Sequence, residues 1–342
     1  MEISAVNNND LFKKAVLAIR ETGEESASGN SQVNQDGTRF IDGVFVATVA
    51  NPRDRWLSVQ GRKSSAVAAI CETLWVLAGR NDLKLLSRVL PRAPDFSDDG
   101  MTWRAAYGPR LYSHSQIDSV INRLRNNPNT RQAYLTIYDP ALDSDKGLMF
   151  SAPIGEAKTK DMVCNFALAF SIKNGKLDIT VFNRSQDVLW GMSSINFIEF
   201  SIIQEIIARV LQVDVGVYRL VSNNLHYYNN EVSQSQLSLV TDSTAVISSS
   251  SERILFSNVD NQWDIQRLFA GIVAACEAGN IWDEVVEQMN RFDANGGLIR
   301  DMAMIMWSRL NNTAFSLSYI KDDGLRSALM NSPIDRKWLK DE

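Results

Sequence analysis

The sequence predicts an α/β (α+β) protein with a mostly helical C-terminal extension, and three observations lead there. Residues 162–184 read as two strands joined by Asn174-Gly175, a pair suited to a type I′ hairpin. The run FIEFSIIQEIIARVL after Asn196 is apolar almost all round, as in a helix enclosed by other elements. From 262 onward the apolar residues recur at helical spacing, at Ile265, Leu268, Phe269, Ile272 and Val273, then at Leu298, Met302, Ile305 and Met306.

Along the chain, Leu11, Ala15, Val16 and Ile19 predict a helix over 8–21, and the polar stretch from Thr22 to Asp36 reads as a mobile loop. Ser64 and Ser65 cap a helix through Ala66, Val67, Ile70, Leu74 and Leu77 that stops at Gly79. If Asn174 and Gly175 form a two-residue loop, Lys173 pairs with Lys176. Counting back sets Cys164 opposite Ser185 and Asn165 opposite Arg184. A bulge would shift this register by one and still leave Arg184 and Ser185 near the cysteine. Two-residue alternation puts Phe166, Leu168 and Phe170 on the face of Cys164. Asn196 is a candidate N-cap for the enclosed helix. The Ser-rich stretch 241–261 is the candidate boundary, giving a catalytic domain over 1–240, a linker over 241–261 and a helical extension over 262–342.

At 342 residues the chain is long enough for one large domain or two ordinary ones. With 45% hydrophobic and 22% charged residues it is a folded protein, neither disordered nor a disulfide scaffold. A net charge of −5 gives no general attraction to a polyanion, so any phosphate site is local and no nucleic-acid partner is expected. Cys71, Cys164 and Cys276 are too scattered for a disulfide framework or a zinc site. Free thiols, a reducing compartment and no metal are expected. The N-terminus lacks a basic region followed by an apolar stretch, and no run of about 18 apolar residues occurs. A cytoplasmic protein without a membrane partner is the expectation. Neither Gly-x-Gly-x-x-Gly nor a Walker loop is present, which argues against a dinucleotide fold and a nucleotide triphosphatase.

Glu72 lies mid-helix among Ala68, Ala69, Trp75 and Val76, where a carboxylate is desolvated and its pKa raised toward that of a general acid or base. A structural Glu bound to buried backbone or to an Arg is the alternative. Cys164 is either an inert buried thiol or, beside the Arg184 guanidinium, a nucleophile whose thiolate that cation favours. Asp187 taken singly is a turn residue, and His226 and Tyr228, alternating onto one side of an extended stretch, are more often structural. With only His114 and His226 in the chain, a Cys-His protease arrangement has no local support.

Taken in order, these segments resemble the thymidylate synthase superfamily over about Arg53 to Tyr228. The resemblance is carried by CETLWVLAGRNDL with Glu72, SDDGMTWRAAYGPRL around Tyr107-Gly108, NPNTRQAYL with Arg131, the strand containing Cys164, NRSQDVLWG, Asn196, and LHYY with His226. It implies a mixed twisted sheet that forms a dimer interface, a long buried central helix, and folate-dependent one-carbon transfer to C5 of a pyrimidine nucleotide. Cys164 would add to C6, with Glu72 and Tyr107 as its catalytic partners and 5,10-methylenetetrahydrofolate as co-substrate. Arg184 and Ser185 would hold the phosphate, joined by Arg131 from the other subunit of a homodimer. Asp187 would bind the pterin, and His226 with Tyr228 the sugar. Arg53 and Arg55 are further phosphate candidates, with a solvated basic loop the favoured reading for that pair.

The chain also departs from the family pattern. Asn165 follows the nucleophile where His is usual, Gln132 stands where a second arginine is usual, and Met192-Ser193-Ser194-Ile195-Asn196 is one residue longer than the usual run. The loop SRVLPRAPDFSDDGMTW lacks the Ile-Trp-Asp whose tryptophan covers the folate. These features resemble the branch of nucleotide hydroxymethylases, in which water rather than folate hydride completes the reaction. Asn196 falls where the family reads the pyrimidine edge, and a carboxamide suits uracil, so dUMP is the expected substrate. True thymidylate synthesis, dCMP or CMP hydroxymethylation, and a non-catalytic nucleotide-binding protein are the alternatives. The extension after Asn261 is read as packing that covers the dimer or active-site surface, with a lid or partner-binding module as the alternative. Cys71 and Cys276 are read as small core residues.

Overall fold

The computed structural model describes residues 1–26, 37–151, 159–279 and 281–340. Among the described residues ten strands form two sheets: β1 (Glu2–Ala5), β2 (Glu24–Ser26), β3 (Thr38–Phe40), β4 (Phe45–Val49), β5 (Tyr134–Thr136), β6 (Asn165–Lys173), β7 (Lys176–Asn183), β8 (Gln186–Asp187), β9 (Asp214–Ser222) and β10 (Leu225–Tyr228). The larger sheet runs β1-β4-β9-β7-β6-β5 and the smaller β2-β3-β10-β8. The larger sheet is mixed, as expected: β1 with β4 and β7 with β9 are parallel, the other pairs antiparallel.

The hairpin forms as its turn chemistry dictates. Lys173 pairs with Lys176, and Asn174 and Gly175 both take the positive φ that a type I′ turn requires. The Thr22–Asp36 stretch is not all loop, because Glu24–Ser26 pairs with β3 as an edge strand. The rest of that loop expectation lies outside the described residues.

The predicted helix over 8–21 spans Asn8–Thr22, capped by Asn7. Ser65 caps Ala66–Leu77 by accepting from the Ala68 N–H at 3.0 Å. The enclosed helix spans Ile195–Val210, with Ser194 rather than Asn196 at its N-cap, so Asn196 sits inside the first turn. This central helix packs against β7 and β9 on one side and the Glu72 helix on another. Phe197, Phe200, Ile202, Ile203 and Ile206 are all buried, each worth roughly 1.5–3 kcal/mol. Two of its polar members are matched individually: Gln204 Nε2 donates to the Leu177 and Val217 carbonyls at 2.7 and 3.2 Å, and Glu205 pairs with Arg55.

The C-terminal extension brings helices at Gln262–Glu277, Trp282–Asn290, Gly297–Leu310 and Asp323–Asn331. Helices 262–277 and 297–310 pack on the outer side of the Glu72 helix, which is thereby sandwiched against the central helix. Cys71 and Cys276 are buried there, and burial pushes both thiols up, Cys71 to about 12. The Ser-rich stretch is strapped down rather than free. Ser248 Oγ and the Ser249 N–H donate to Asp54 at 3.0 and 3.2 Å, and the Ile254 N–H donates to Glu205 at 3.0 Å. No helix among the described residues is long and apolar enough to cross a membrane.

Candidate active site

Cys164 immediately precedes β6, and a bulge decides its surroundings. Asn165 pairs with Asn183 and Ala167 with Phe182, so Phe166 is the extra residue. The expected register is thus shifted by one: the Arg184 N–H donates to the Cys164 carbonyl at 3.0 Å, and the cysteine lies beside Arg184 rather than opposite Ser185. The bulge also breaks the expected face. Phe166 is 39% exposed while Asn165, Leu168 and Phe170 are buried.

The Arg184 guanidinium is anchored by donating to the Val163 and Met162 carbonyls at 2.7 and 3.2 Å, which leaves Nη2 at 3.5 Å from Cys164 Sγ. Arg184 was expected to tip the group toward thiolate. In the folded chain burial outweighs it: desolvation raises the thiol pKa, Arg184 pulls it down, and Asp161 and Asp187 add to the rise. Cys164 therefore rests as a protonated thiol with a cation at hand.

Glu72, Tyr107, Asn165, Asn196 and Glu199 form a second group. The Glu72 side chain is pushed up to about 8 by desolvation, and its Oε2 is buried without a partner among the described residues. No Arg or buried backbone group claims that oxygen, which favours the acid–base reading over the structural one. Tyr107 begins the short helix Tyr107–Tyr112 and stacks on Phe200 at 5.8 Å. Its hydroxyl accepts from Asn165 Nδ2 at 2.7 Å, and burial, Cys164 and Glu199 raise its pKa. Asn165 thus orients the tyrosine, and its own Oδ1 is left buried and free. Glu199, on the central helix, is fully buried, and desolvation first, then repulsion from Glu72, drives its pKa well above the usual carboxylate range.

The smaller sheet supplies a third group. β10 runs parallel to β8, which sets His226 beside Asp187. Burial disfavours charge on both, raising the carboxyl and lowering the imidazole, while each opposes the shift of the other. Ser185 Oγ lies 3.3 Å from His226 Nδ1, and the His226 and Tyr228 rings meet edge to face at 5.3 Å. Asp187 also caps the π-helical turn Val188–Met192 by accepting from the Leu189 N–H at 2.7 Å. That turn carries Trp190, 54% exposed.

Two sequence expectations are not gathered here. Arg131 is exposed on the loop before β5. Arg55 belongs neither to a phosphate site nor to a solvated basic loop: it is 1% exposed and ion-paired with Glu205, because the segment 54–58 runs through the core. Sequence reasoning missed Glu199, although its place one turn after Asn196 in an otherwise apolar helix was a signal. It also missed Arg62, which is buried, donates to Gln236 at 3.2 Å and to the Leu189 carbonyl, and lies near Asp187. Nothing local distinguishes that arginine. Trp103, in the atypical loop, packs edge to face on Trp75 at 5.8 Å and donates to the Ala93 carbonyl at 3.0 Å.

Among the described residues no group of His, Cys, Asp and Glu is arranged to hold a metal. The arrangement present is a thiol beside a guanidinium, a desolvated carboxyl and an oriented phenol, which together suit covalent acid–base chemistry on a polar ring.

Comparison with known proteins agrees. The chain is 35% identical over 256 residues to a deoxyuridylate hydroxymethyltransferase of Delftia phage PhiW-14, covering 75% of this chain and 68% of that protein. It is 36% identical over 191 residues to a deoxyuridylate hydroxymethyltransferase of Bacillus phage SP01, covering 52% of this chain and 47% of that one, so the chain spans about half of this relative's length. Its fold matches the thermostable thymidylate synthase A of Bacillus subtilis with a TM-score of 0.56 at 18% identity, over 75% of this chain and 91% of that one. The thymidylate synthase family model matches residues 12–250, most of the sheets, the central helix and every residue group described above, and the chain belongs to the thymidylate synthase family, as a one-carbon transferase.

Proposed function

We propose that this enzyme transfers a one-carbon unit from 5,10-methylenetetrahydrofolate to C5 of dUMP and finishes the reaction with water, giving 5-hydroxymethyl-dUMP and tetrahydrofolate. The observation that carries the reading is Cys164 Sγ held 3.5 Å from Arg184 and electrostatically linked to Tyr107, which connects through Glu199 to Glu72. The hydroxymethyltransferase names of the two phage relatives support the choice of product.

The orphaned Glu72 Oε2 and Asn165 Oδ1 and the desolvated Asp187 suit two polar heterocycles bound side by side. The folate supplies the carbon at the formaldehyde level. Cys164 adds through sulfur to C6 of the pyrimidine, and the electron pair displaced toward C5 makes that carbon nucleophilic. An arriving phosphate dianion brings Arg184 and Ser185 into charge-assisted hydrogen bonds. Glu72, poised at about 8, gives and takes protons near neutrality. C5 then bonds to the folate's methylene carbon; loss of the C5 proton and cleavage of that carbon's bonds to the folate nitrogens release tetrahydrofolate and leave an exocyclic methylene on the nucleotide. Addition of water oxygen to that methylene with expulsion of Cys164 sulfur from C6 restores the 5,6 double bond, the protons given up by C5 and by water ending on the folate nitrogens.

Asp187 is assigned to the pterin, His226 and Tyr228 to the sugar, and Asn196 to the uracil edge. Arg131 is assigned to the phosphate of the other protomer in a homodimer, since β5 runs antiparallel to β6 with Tyr134 opposite Ala169, which sets the exposed residues before β5 toward the end of β6 remote from Cys164. The extension 262–342 is assigned as a brace for the Glu72 helix, outside a catalytic domain of 1–240 and the linker 241–261.

The test is the folate product. Tetrahydrofolate formed one-to-one with hydroxymethylated nucleotide supports water capture. Stoichiometric dihydrofolate means that hydride ends the reaction and the enzyme makes dTMP. No covalent adduct with 5-fluoro-dUMP and methylenetetrahydrofolate would favour a nucleotide-binding protein without this activity.

A further inference from the structure

A carboxamide that reads a base must be held one way round. Its oxygen and nitrogen are nearly the same size, and the flipped amide of Asn196 would suit cytosine as well as the unflipped one suits uracil. Two groups flank that amide. On one side Asn196 Oδ1 and Gln186 Oε1 crowd Gly191, where a Cβ would fall 2.6 and 2.9 Å from them and push both side-chain ends aside. On the other side, one helical turn on and on the same face, stands Glu199.

Glu199 is completely buried, and neither carboxyl oxygen has a hydrogen bond of full geometry among the described residues. The polar neighbours that act with it are Glu72, which repels its charge, the Asn196 side chain, which stabilises it, and the buried hydroxyls of Tyr107 and Tyr218. A buried acceptor without a full partner, placed against an amide whose oxygen faces the other way, is satisfied by the outer N–H of that amide.

We propose that Glu199 is a positioning residue that fixes the Asn196 amide, accepting from Nδ2 so that the inner N–H meets O4 of uracil and Oδ1 meets N3–H. This rests on the assignment of Asn196 to the uracil edge. Either protonation state of Glu199 offers an oxygen acceptor. An apolar side chain at 199 removes that acceptor, frees the amide to turn, and admits cytosine, whose N4 amine and N3 fit the flipped group.

The test is kcat/KM for dUMP and dCMP, followed by tritium release from C5-labelled nucleotides. Glu199→Met, with Glu199→Leu in its place should Met not fold, lowers the dUMP-to-dCMP ratio roughly tenfold, the worth of one hydrogen bond. Glu199→Gln keeps an acceptor and holds the ratio within about threefold of wild type. A residue that only packs would lower both constants alike, so an unchanged ratio in the apolar variant overturns the proposal. Asn196→Asp separates the two layers. If it fails to move preference toward cytosine, the assignment of Asn196 falls and the proposal with it. If it moves the preference while Glu199→Met does not, only the proposal falls.

Discussion

Glu72→Gln tests the acid–base reading through stability as well as rate. In the folded chain desolvation raises this carboxyl from 4.5 to about 8. The native state thus holds a proton that the unfolded chain releases between those values, and native stability falls as pH rises through that window. Gln mimics the protonated form and removes this loss. At about 1.4 kcal/mol per pH unit the shift amounts to at most about 5 kcal/mol, and water entering the cleft around this partly accessible residue brings it to on the order of 2–3 kcal/mol. The variant is therefore expected to match wild type closely at pH 5 in urea denaturation and to exceed it by that amount at pH 9. Turnover of dUMP, in contrast, should fall by about a hundredfold to ten-thousandfold, the usual contribution of a general acid–base group. A stability difference that does not change between pH 5 and pH 9 would refute the raised pKa. A variant that keeps wild-type turnover would remove Glu72 from the chemistry.

Cys164→Ser should bind nucleotide and release no tritium from C5-labelled dUMP; release at the wild-type rate would sink the nucleophile assignment. Mixing inactive Arg131→Ala with inactive Cys164→Ser and exchanging subunits should restore activity, because one site of each mixed dimer is then whole. No recovery in verified mixed dimers would mean that Arg131 serves its own protomer or none. Arg55→Met leaves the charged Glu205 in the core with the Ile254 N–H but without its cation and should cost about 3–5 kcal/mol in urea unfolding, with KM for nucleotide unchanged. A raised KM at intact stability would return Arg55 to the phosphate site.

Much of the site was legible because its chemistry travels in short motifs. Cys164, Arg184, Ser185 and Asp187 lie within one hairpin and its exit, and Asn174-Gly175 fixed the pairing that brings them together. His226 was legible in the alternation of LHYY, but its pairing with Asp187 was not, since β8 and β10 meet only through the sheet. Arg53 and Arg55 read as one basic pair, yet Arg55 faces Glu205, 150 positions away, and so becomes a core ion pair.

The sequence by itself determined the elements: the Ser65 cap, the type I′ turn and the largely apolar central helix depend on neighbours a few residues apart, whose hydrogen bonds and burial pattern hold in almost any fold. The desolvation of Glu72 was legible in its apolar neighbours, but tertiary structure decided the rest of the electrostatics: the bulge at Phe166 set Cys164 opposite Arg184 rather than Ser185, and packing between helices buried Glu199 beside Glu72. Charge coupling depends on which distant segments close over a group, and no local pattern of residues encodes that distance.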